Sequence, residues 1–180
     1  MDDPWPVIEQ VVEYETGWYS GGYDLVEQPD GSTKRYYWAR LPPAVVIVAI
    51  VGEELLFIEQ YRPTIREHHL ELPAGIVESG EGYEEAARRE LREETGYVAG
   101  SLTLVQTYQV ATGVLDHERG VVVAKNLTEG EIDHDENEFL TVRRIPIDEA
   151  VMTAREQPAN DSTISALLLA TADGHLERKY

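Results

Sequence analysis

The stretch Gly75-Ile-Val-Glu-Ser-Gly-Glu81, followed after seven residues by Arg89-Glu-Leu-Arg-Glu-Glu-Thr-Gly96, decides how the chain is read. Tyr83, Ala87 and Leu91 recur at helical spacing, Ser79 or Glu81 can cap the start, and Gly96 can end the last turn. The expected helix covers 79–95. Each helical residue turns by about 100°, so Glu90, Glu93 and Glu94 project to one side within a turn. Like charges so close repel, and a bound cation removes the repulsion. Oxygen ligands without His or Cys select Mg²⁺, with Mn²⁺ as the alternative, over zinc. Arg89, beside Glu90, is expected to orient the carboxylates.

Outward from this helix, strands and helices mix without regular βαβ alternation. Ala44–Val51 is a β-branched apolar run that reads as a buried strand, Gly52-Glu53-Glu54 as a turn, and Leu55–Tyr61 as the returning strand. Further strands are expected at 101–110, 120–125 and 139–145. Pro146 opens a helix with Ile147, Ala150, Val151 and Ala154 on one side, and a last helix starts near Asp161-Ser162 and buries Ile164, Leu167 and Leu168. Residues 1–41 are rich in aromatics broken by turn signals at Ser20-Gly21-Gly22 and Pro29-Asp30-Gly31, which reads as a small N-terminal antiparallel β unit. Leu41-Pro42-Pro43 separates it from a second domain over 42–180. The expected class is α+β, layered around a mixed sheet.

Composition narrows the function. The chain has 180 residues, 34 acidic and 15 basic, for a net charge of −19, with 42% hydrophobic residues and no cysteine. The apolar content supports a core, and the absence of cysteine excludes disulfides and thiolate chemistry. A surface this acidic repels phosphates, so neither nucleic acid nor anionic membrane is an expected partner. Ala44–Val51 is far shorter than the roughly 20 residues of a membrane helix. Met1–Gln10 has no basic region followed by an apolar run, so no signal peptide and a cytoplasmic location are expected. Lysine is scarce: Lys34, Lys125 and Lys179 are the only ones. Acid spread along the chain with so little lysine points to a halophilic, salt-rich setting in which ions screen the self-repulsion.

The full spacing of the opening stretch is that of the Nudix box, G-x5-E-x7-R-E-U-x-E-E-x-G-U with U a bulky aliphatic residue. Gly75, Glu81, Arg89, Glu90, Leu91, Glu93, Glu94 and Gly96 match, and Tyr97 departs at the last position. The chain therefore resembles a Nudix hydrolase. The resemblance implies a Nudix fold, an α/β/α sandwich, and metal-assisted cleavage of a nucleoside diphosphate linked to another group. Glu59-Gln-Tyr-Arg-Pro63 and Leu70-Glu-Leu-Pro-Ala-Gly75 look like the ADP-ribose pyrophosphatase and nucleotide-sugar branch.

In that branch the arginine after the tyrosine, here Arg62, binds the substrate's phosphates. By the same resemblance the metal candidates are the Ala74 carbonyl, Glu90, Glu93, Glu94, Glu138 and Glu118. The catalytic candidates are Glu136 as base, Glu93 and Arg89, with Glu136 and Glu138 in the acidic run Asp135-Glu-Asn-Glu138. Asp133-x-Asp135-x-Asn137 also mimics the start of an EF-hand loop, but Glu138 and Arg144 stand where that loop needs glycine and glutamate. Ala111-Thr-Gly-Val-Leu-Asp-His-Glu118 lacks the proline of the branch's Ser-Pro-Gly-Phe, although Gly113 and Glu118 fit. This keeps GDP-mannose or another nucleotide sugar open beside ADP-ribose. The branch forms homodimers through N-terminal strands, with an aromatic stacked on the base; Tyr36, Tyr37 and Trp38 are the candidates, with Tyr36, Trp38 and Gly113 counted with Arg62 as substrate-binding. The rivals are a non-catalytic sensor of nucleotide sugars, which the intact box disfavours, and cleansing of oxidised nucleoside triphosphates, which the Tyr61-Arg62 flank disfavours.

Overall fold

The structure, a computed structural model, describes residues 5–130 and 139–177. In chain order the elements are β1 (Val7–Glu15), β2 (Ser20–Glu27), β3 (Thr33–Arg40), β4 (Ala44–Val51), β5 (Glu54–Arg62), β6 (Glu67–Glu71) and β7 (Ala74–Ile76). Then follow α1 (Tyr83–Thr95), β8 (Tyr97–Gln109), β9 (Leu115–Asp116), β10 (Glu118–Glu129), β11 (Leu140–Pro146), α2 (Ile147–Arg155) and α3 (Asp161–Ala172). This is a mixed α+β fold, as the sequence predicts. The chain forms two compact units, one drawn from the residues up to Pro43 together with Tyr108–Glu118, the other from Ala44–Thr107 and the residues from Arg119 onward.

The first unit holds one four-stranded sheet in the order β1-β2-β3-β9. β1, β2 and β3 are antiparallel neighbours, and β9 joins β3 in parallel through Ala39↔Leu115 and Arg40↔Asp116. Arg40 Nε closes that edge on Asp116 Oδ2 at 2.6 Å. His117 is buried with Nδ1 2.8 Å from the Pro42 carbonyl. Much of the sheet's apolar surface is exposed, including Val7, Ile8, Val12, Tyr14, Tyr36 and Tyr37.

In the second unit the sheet path is β11-β5-β4-β10-β8, with β6 added to β5 and β7 to β4. β4 runs parallel to β10, from Ala44↔Arg119 to Ala49↔Ala124, and antiparallel to β5 at the Ile50↔Leu55 hairpin. Val45–Ala49 are buried throughout, which explains the unbroken apolar run: a strand covered on both faces has no solvent side on which to alternate. One face, with Val45, Ile47 and Ala49, packs on Ala86, Ala87 and Leu91 of α1. Alternation turns Val46 and Val48 to the other face, and α3 also packs on β4.

Several boundaries differ from expectation. α1 starts at Tyr83 rather than 79, with Gly82 as an extended N-cap whose N–H donates to Glu85 Oε2 at 2.9 Å. Glu81 does not cap the helix because its carboxylate is engaged elsewhere: Oε2 accepts the Glu78 N–H at 3.0 Å, and both oxygens receive Arg89. Gly96 ends α1 as expected, in the left-handed region at φ 76°, and its N–H donates to the Arg92 carbonyl. That turn feeds directly into β8, which therefore begins at Tyr97. In α3, Leu167 is buried but Leu168 is 51% exposed; the buried stripe is Thr163, Ala166, Leu167, Ala170 and Thr171. Small residues fill that stripe because α3 lies close over β4 and α2. Among the described residues no helix is long and apolar enough to cross a membrane.

Candidate active site

α1 and the short β7 are locked together by charge and by close approach. A Cβ on Gly75 would overlap the Glu90 carboxylate, so glycine here leaves that side chain room to keep its place against β7. One residue earlier, the Ala74 N–H donates to Glu94 Oε2 at 2.9 Å. Glu94 is 5% exposed, a carboxylate buried at the helix's sheet-facing side.

Arg89 gathers the rest. Its Nε donates to Glu81 Oε1 at 2.9 Å, and Nη2 donates to Glu81 Oε2 at 3.0 Å and to the Ile76 carbonyl at 2.8 Å. Nη1 donates to Glu90 Oε1 at 2.7 Å and to Glu93 Oε2 at 3.1 Å. A guanidinium has five N–H donors, and these five bonds use them all. The carboxylates of Glu81, then Glu90 and Glu93, raise the Arg89 pKa above its ordinary value against the opposing effect of burial. Reciprocally, Arg89 holds the Glu81 carboxyl below the usual carboxylate range.

Arg62, at the end of β5, is paired with Glu71 of β6. Nε donates to Glu71 Oε1 at 3.0 Å, and Nη2 donates to Oε2, a fork matched to a carboxylate. Glu71 is buried, whereas the Arg62 side chain is 44% exposed. Glu71 first, and Glu94 more weakly, hold the Arg62 pKa above its ordinary value. Arg62 thus stands within electrostatic reach of the carboxylate helix with part of its surface open.

The second unit therefore brings together Arg62, Ala74, Arg89, Glu90, Glu93 and Glu94 of the expected site. Among the described residues no three His, Asp or Glu side chains converge as a metal-binding group. Glu81, Glu90 and Glu93 are instead drawn onto Arg89. The donor set is nonetheless oxygen only, which fits a hard divalent cation. Glu136 and Glu138 lie outside the described residues.

The remaining expected residues belong to the first unit. Tyr36 makes an edge contact with Trp5 at 6.0 Å between ring centroids, and Lys34 Nζ lies 5.1 Å from its ring centroid. Trp38 Nε1 donates to Asp24 Oδ1 at 3.0 Å, with the Arg40 guanidinium 4.8 Å from its ring centroid. Gly113 sits in a turn closed by the Val114 and Leu115 N–H groups on the Ala111 carbonyl. Glu118 accepts from Gln109 Nε2 at 3.4 Å. Glu71 was not singled out from the sequence as the partner of Arg62. The signal was present, because Glu67, His69 and Glu71 alternate toward one face of β6 beside β5.

Comparison with known proteins follows the same lines. A family model described as the NUDIX domain matches residues 40–167. The chain is 35% identical over 142 residues, 77% of each protein, to the methanol dehydrogenase activator of Bacillus methanolicus. It is 31% identical over 140 residues, 76% of each, to the ADP-ribose pyrophosphatase of Bacillus subtilis strain 168. Its fold matches a crystal structure of an ADP compounds hydrolase with TM-score 0.84 and 27% identity, covering 97% of this chain and 98% of that one.

The Glu81–Arg89 pair predicts a pH dependence of stability. Glu81 has a folded pKa below its unfolded value, so its contribution is complete above the ordinary glutamate pKa of about 4.3 and is lost as pH falls through the lowered value. Thermal unfolding of Glu81→Gln should therefore differ most from the parent at neutral pH and converge with it in acid. A constant difference across the series would remove the ion pair as the cause.

Proposed function

The chain belongs to the NUDIX family, and from that membership we propose that it hydrolyses the pyrophosphate bond of a nucleoside diphosphate sugar, with ADP-ribose as substrate and AMP and ribose 5-phosphate as products. What carries the proposal is the company Arg62 keeps. A guanidinium fork, fixed by Glu71 and partly open, stands within electrostatic reach of Glu94 on the helix whose other carboxylates, Glu90 and Glu93, are gathered on Arg89. The diphosphate bridge of a nucleoside diphosphate sugar is a dianion whose oxygens match the donors of a guanidinium. The similarity to an ADP-ribose pyrophosphatase and to an ADP compounds hydrolase supports the same substrate class.

In this reading Arg62 grips a phosphate and offsets the charge that grows on its oxygens as water attacks phosphorus. The water's proton passes to Glu136, the phosphoanhydride P–O bond breaks, and the electron pair leaves with the departing phosphate oxygen. Glu90, Glu93, Glu94, the Ala74 carbonyl and Glu138 would hold Mg²⁺. When bound, the ion supplies Lewis acidity and lowers the pKa of water. Arg89 acts through its neighbours: it fixes the rotamers of Glu90 and Glu93 and keeps three carboxylates from driving one another apart.

The test is a phosphate-release panel of ADP-ribose, GDP-mannose, NADH and dinucleoside polyphosphates with Mg²⁺. ADP-ribose is expected to be cleaved fastest. Preference for GDP-mannose would move the assignment within the class, and cleavage of none would favour a nucleotide-sugar sensor. Glu94→Gln keeps an acceptor for the Ala74 N–H but removes the charge. It should lower kcat by about a hundredfold or more with little change in melting temperature, whereas near-normal turnover would refute a metal-holding role.

Two properties of the whole protein belong to the same proposal. The exposed aromatic and β-branched side chains of the first unit's sheet suit self-association and stacking on a nucleobase, with Tyr36 and Trp38 as the stacking candidates. Light scattering should return the mass of a homodimer, and a monomer across the micromolar range would exclude it. The net charge of −19 suits a salt-rich cytoplasm. The melting temperature should rise with KCl toward molar concentration, and a flat or falling curve would end that idea.

A further inference from the structure

Tyr97 stands where the box pattern calls for a bulky aliphatic residue. Its ring fills that place, packed in the core with Ala86, Ala87, Leu91 and Ala99, and only 8% of the residue is exposed. An aliphatic side chain would do the same packing. What tyrosine adds is a hydroxyl, and a hydroxyl on so buried a ring needs partners.

It has two. The hydroxyl donates to Glu129 Oε1 at 2.7 Å and accepts from Arg144 Nη2 at 2.6 Å. Burial, and then the Glu129 carboxylate, hold the Tyr97 pKa above its ordinary value, so the group keeps the proton it donates. Arg144 Nη2 also lies 3.5 Å from Glu129 Oε1, and its guanidinium 5.7 Å from the Tyr97 ring centroid. Both charged partners are open to water, so their direct ion pair is worth little, and the hydroxyl between them is the fixed point.

The origin of the partners gives the network its meaning. Glu129 ends β10, and Arg144 lies in β11. In the sheet β4 and β5 stand between these two strands, so no ladder joins them directly. Tyr97 opens β8 immediately after Gly96, the glycine that stops α1. Gly96 takes part as well: its carbonyl accepts the Gly130 N–H at 2.8 Å. The end of the carboxylate helix thus holds Glu129 and Gly130 at the end of β10, and through the same hydroxyl it holds β11. Residues 130–139 connect these strands, and Glu136 is one of them. A base serves only in register with the groups that position the water, and a misplacement of about 1 Å can cost about a hundredfold in rate.

We propose that Tyr97 is a positioning residue: its hydroxyl ties β10 and β11 to the end of α1 and so keeps the base Glu136 in register with the carboxylates of that helix. The inference rests on the hydrolase reading above, with Glu136 as its base. Tyr97 acts through the strands rather than on the substrate.

The test is steady-state hydrolysis by the full-length enzyme with Mg²⁺, of ADP-ribose or, if the parent prefers it, of GDP-mannose. Tyr97→Phe keeps the ring and removes the hydroxyl. It should lower kcat about tenfold and leave KM within about twofold. A partly unfolded preparation would lower kcat in any background, so the same substitution is also made in Glu136→Gln. There Tyr97→Phe should change kcat by less than about twofold, because the group it positions is already gone. Arg144→Met, which keeps the length of the stem without its donors, should show the same pattern, and it carries the test if Tyr97→Phe does not fold. Equal losses in both backgrounds, a parent-like kcat in the folded variants, or a raised KM at unchanged kcat would each overturn the proposal. If Glu136→Gln alone turns over near the parent's rate, the base is misassigned and the inference falls with it. If the parent cleaves no nucleoside diphosphate sugar, the functional reading itself fails and takes the inference with it. Cleavage by the parent and a slow Glu136→Gln, with Tyr97→Phe matching the parent, would sink the inference alone.

Discussion

The guanidinium of Arg89 is the constraint on which the site depends. Glu81 from the turn before α1, and Glu90 and Glu93 from the helix itself, bring three negative charges onto one guanidinium, and without a counter-charge they would turn outward into solvent. Arg89 gives each a fixed partner and adds the Ile76 carbonyl, tying β7, the turn before α1 and the helix itself to one planar group. Lysine, with three donors and no plane, has no way to reproduce that set of bonds. The backbone accommodates the arrangement. Gly75 leaves room for the Glu90 carboxylate, and Ala74 presents its N–H to Glu94, so the same short β7 segment borders two of the glutamates.

This order in the site contrasts with the charge around it. A net charge of −19 opposes binding of any anion at long range, yet the proposed substrate is anionic. The opposition is local in its cure. Salt screens exposed charges beyond about 10 Å, while Arg62, partly buried beside Glu71 and Glu94, acts at contact distance in a less polar setting. The surface charge governs solubility and encounter, and the immediate neighbours of the phosphate govern binding.

The helix and its glycine stop were legible because they rest on local rules. Apolar residues at i, i+4 and i+8, and a glycine that adopts the left-handed conformation, need no knowledge of the rest of the chain. β4 was legible for the same reason. β6 and β7 were not. Glu-His-His-Leu-Glu lacks the β-branched residues of an independent strand and becomes one only because β5 offers it an edge, with Arg62 opposite Glu67 and Ile58 opposite Glu71. The start of α1 was misjudged because Glu81, a plausible cap in sequence, is taken by Arg89 eight residues later. The joining of Tyr108–Glu118 to the N-terminal unit depends on a two-residue parallel pairing with β3, which no local pattern announces. Tertiary partners decided each of these against local preference.

Arg62 and Arg89 both donate in forked fashion to a glutamate, and the difference between them separates structure from binding. All five donors of Arg89 are engaged and its side chain is mostly covered, so it has nothing left for a ligand. Arg62 is held along one edge by a buried carboxylate and is nearly half open along the rest. Such a side chain surrenders its rotamer freedom during folding rather than on binding, which removes part of the ordering cost at the moment a phosphate arrives. Glu71 does not cancel the charge of Arg62 so much as aim it. The antiparallel pairing of β5 with β6 creates that aim, because it brings residues nine apart in sequence into one fork.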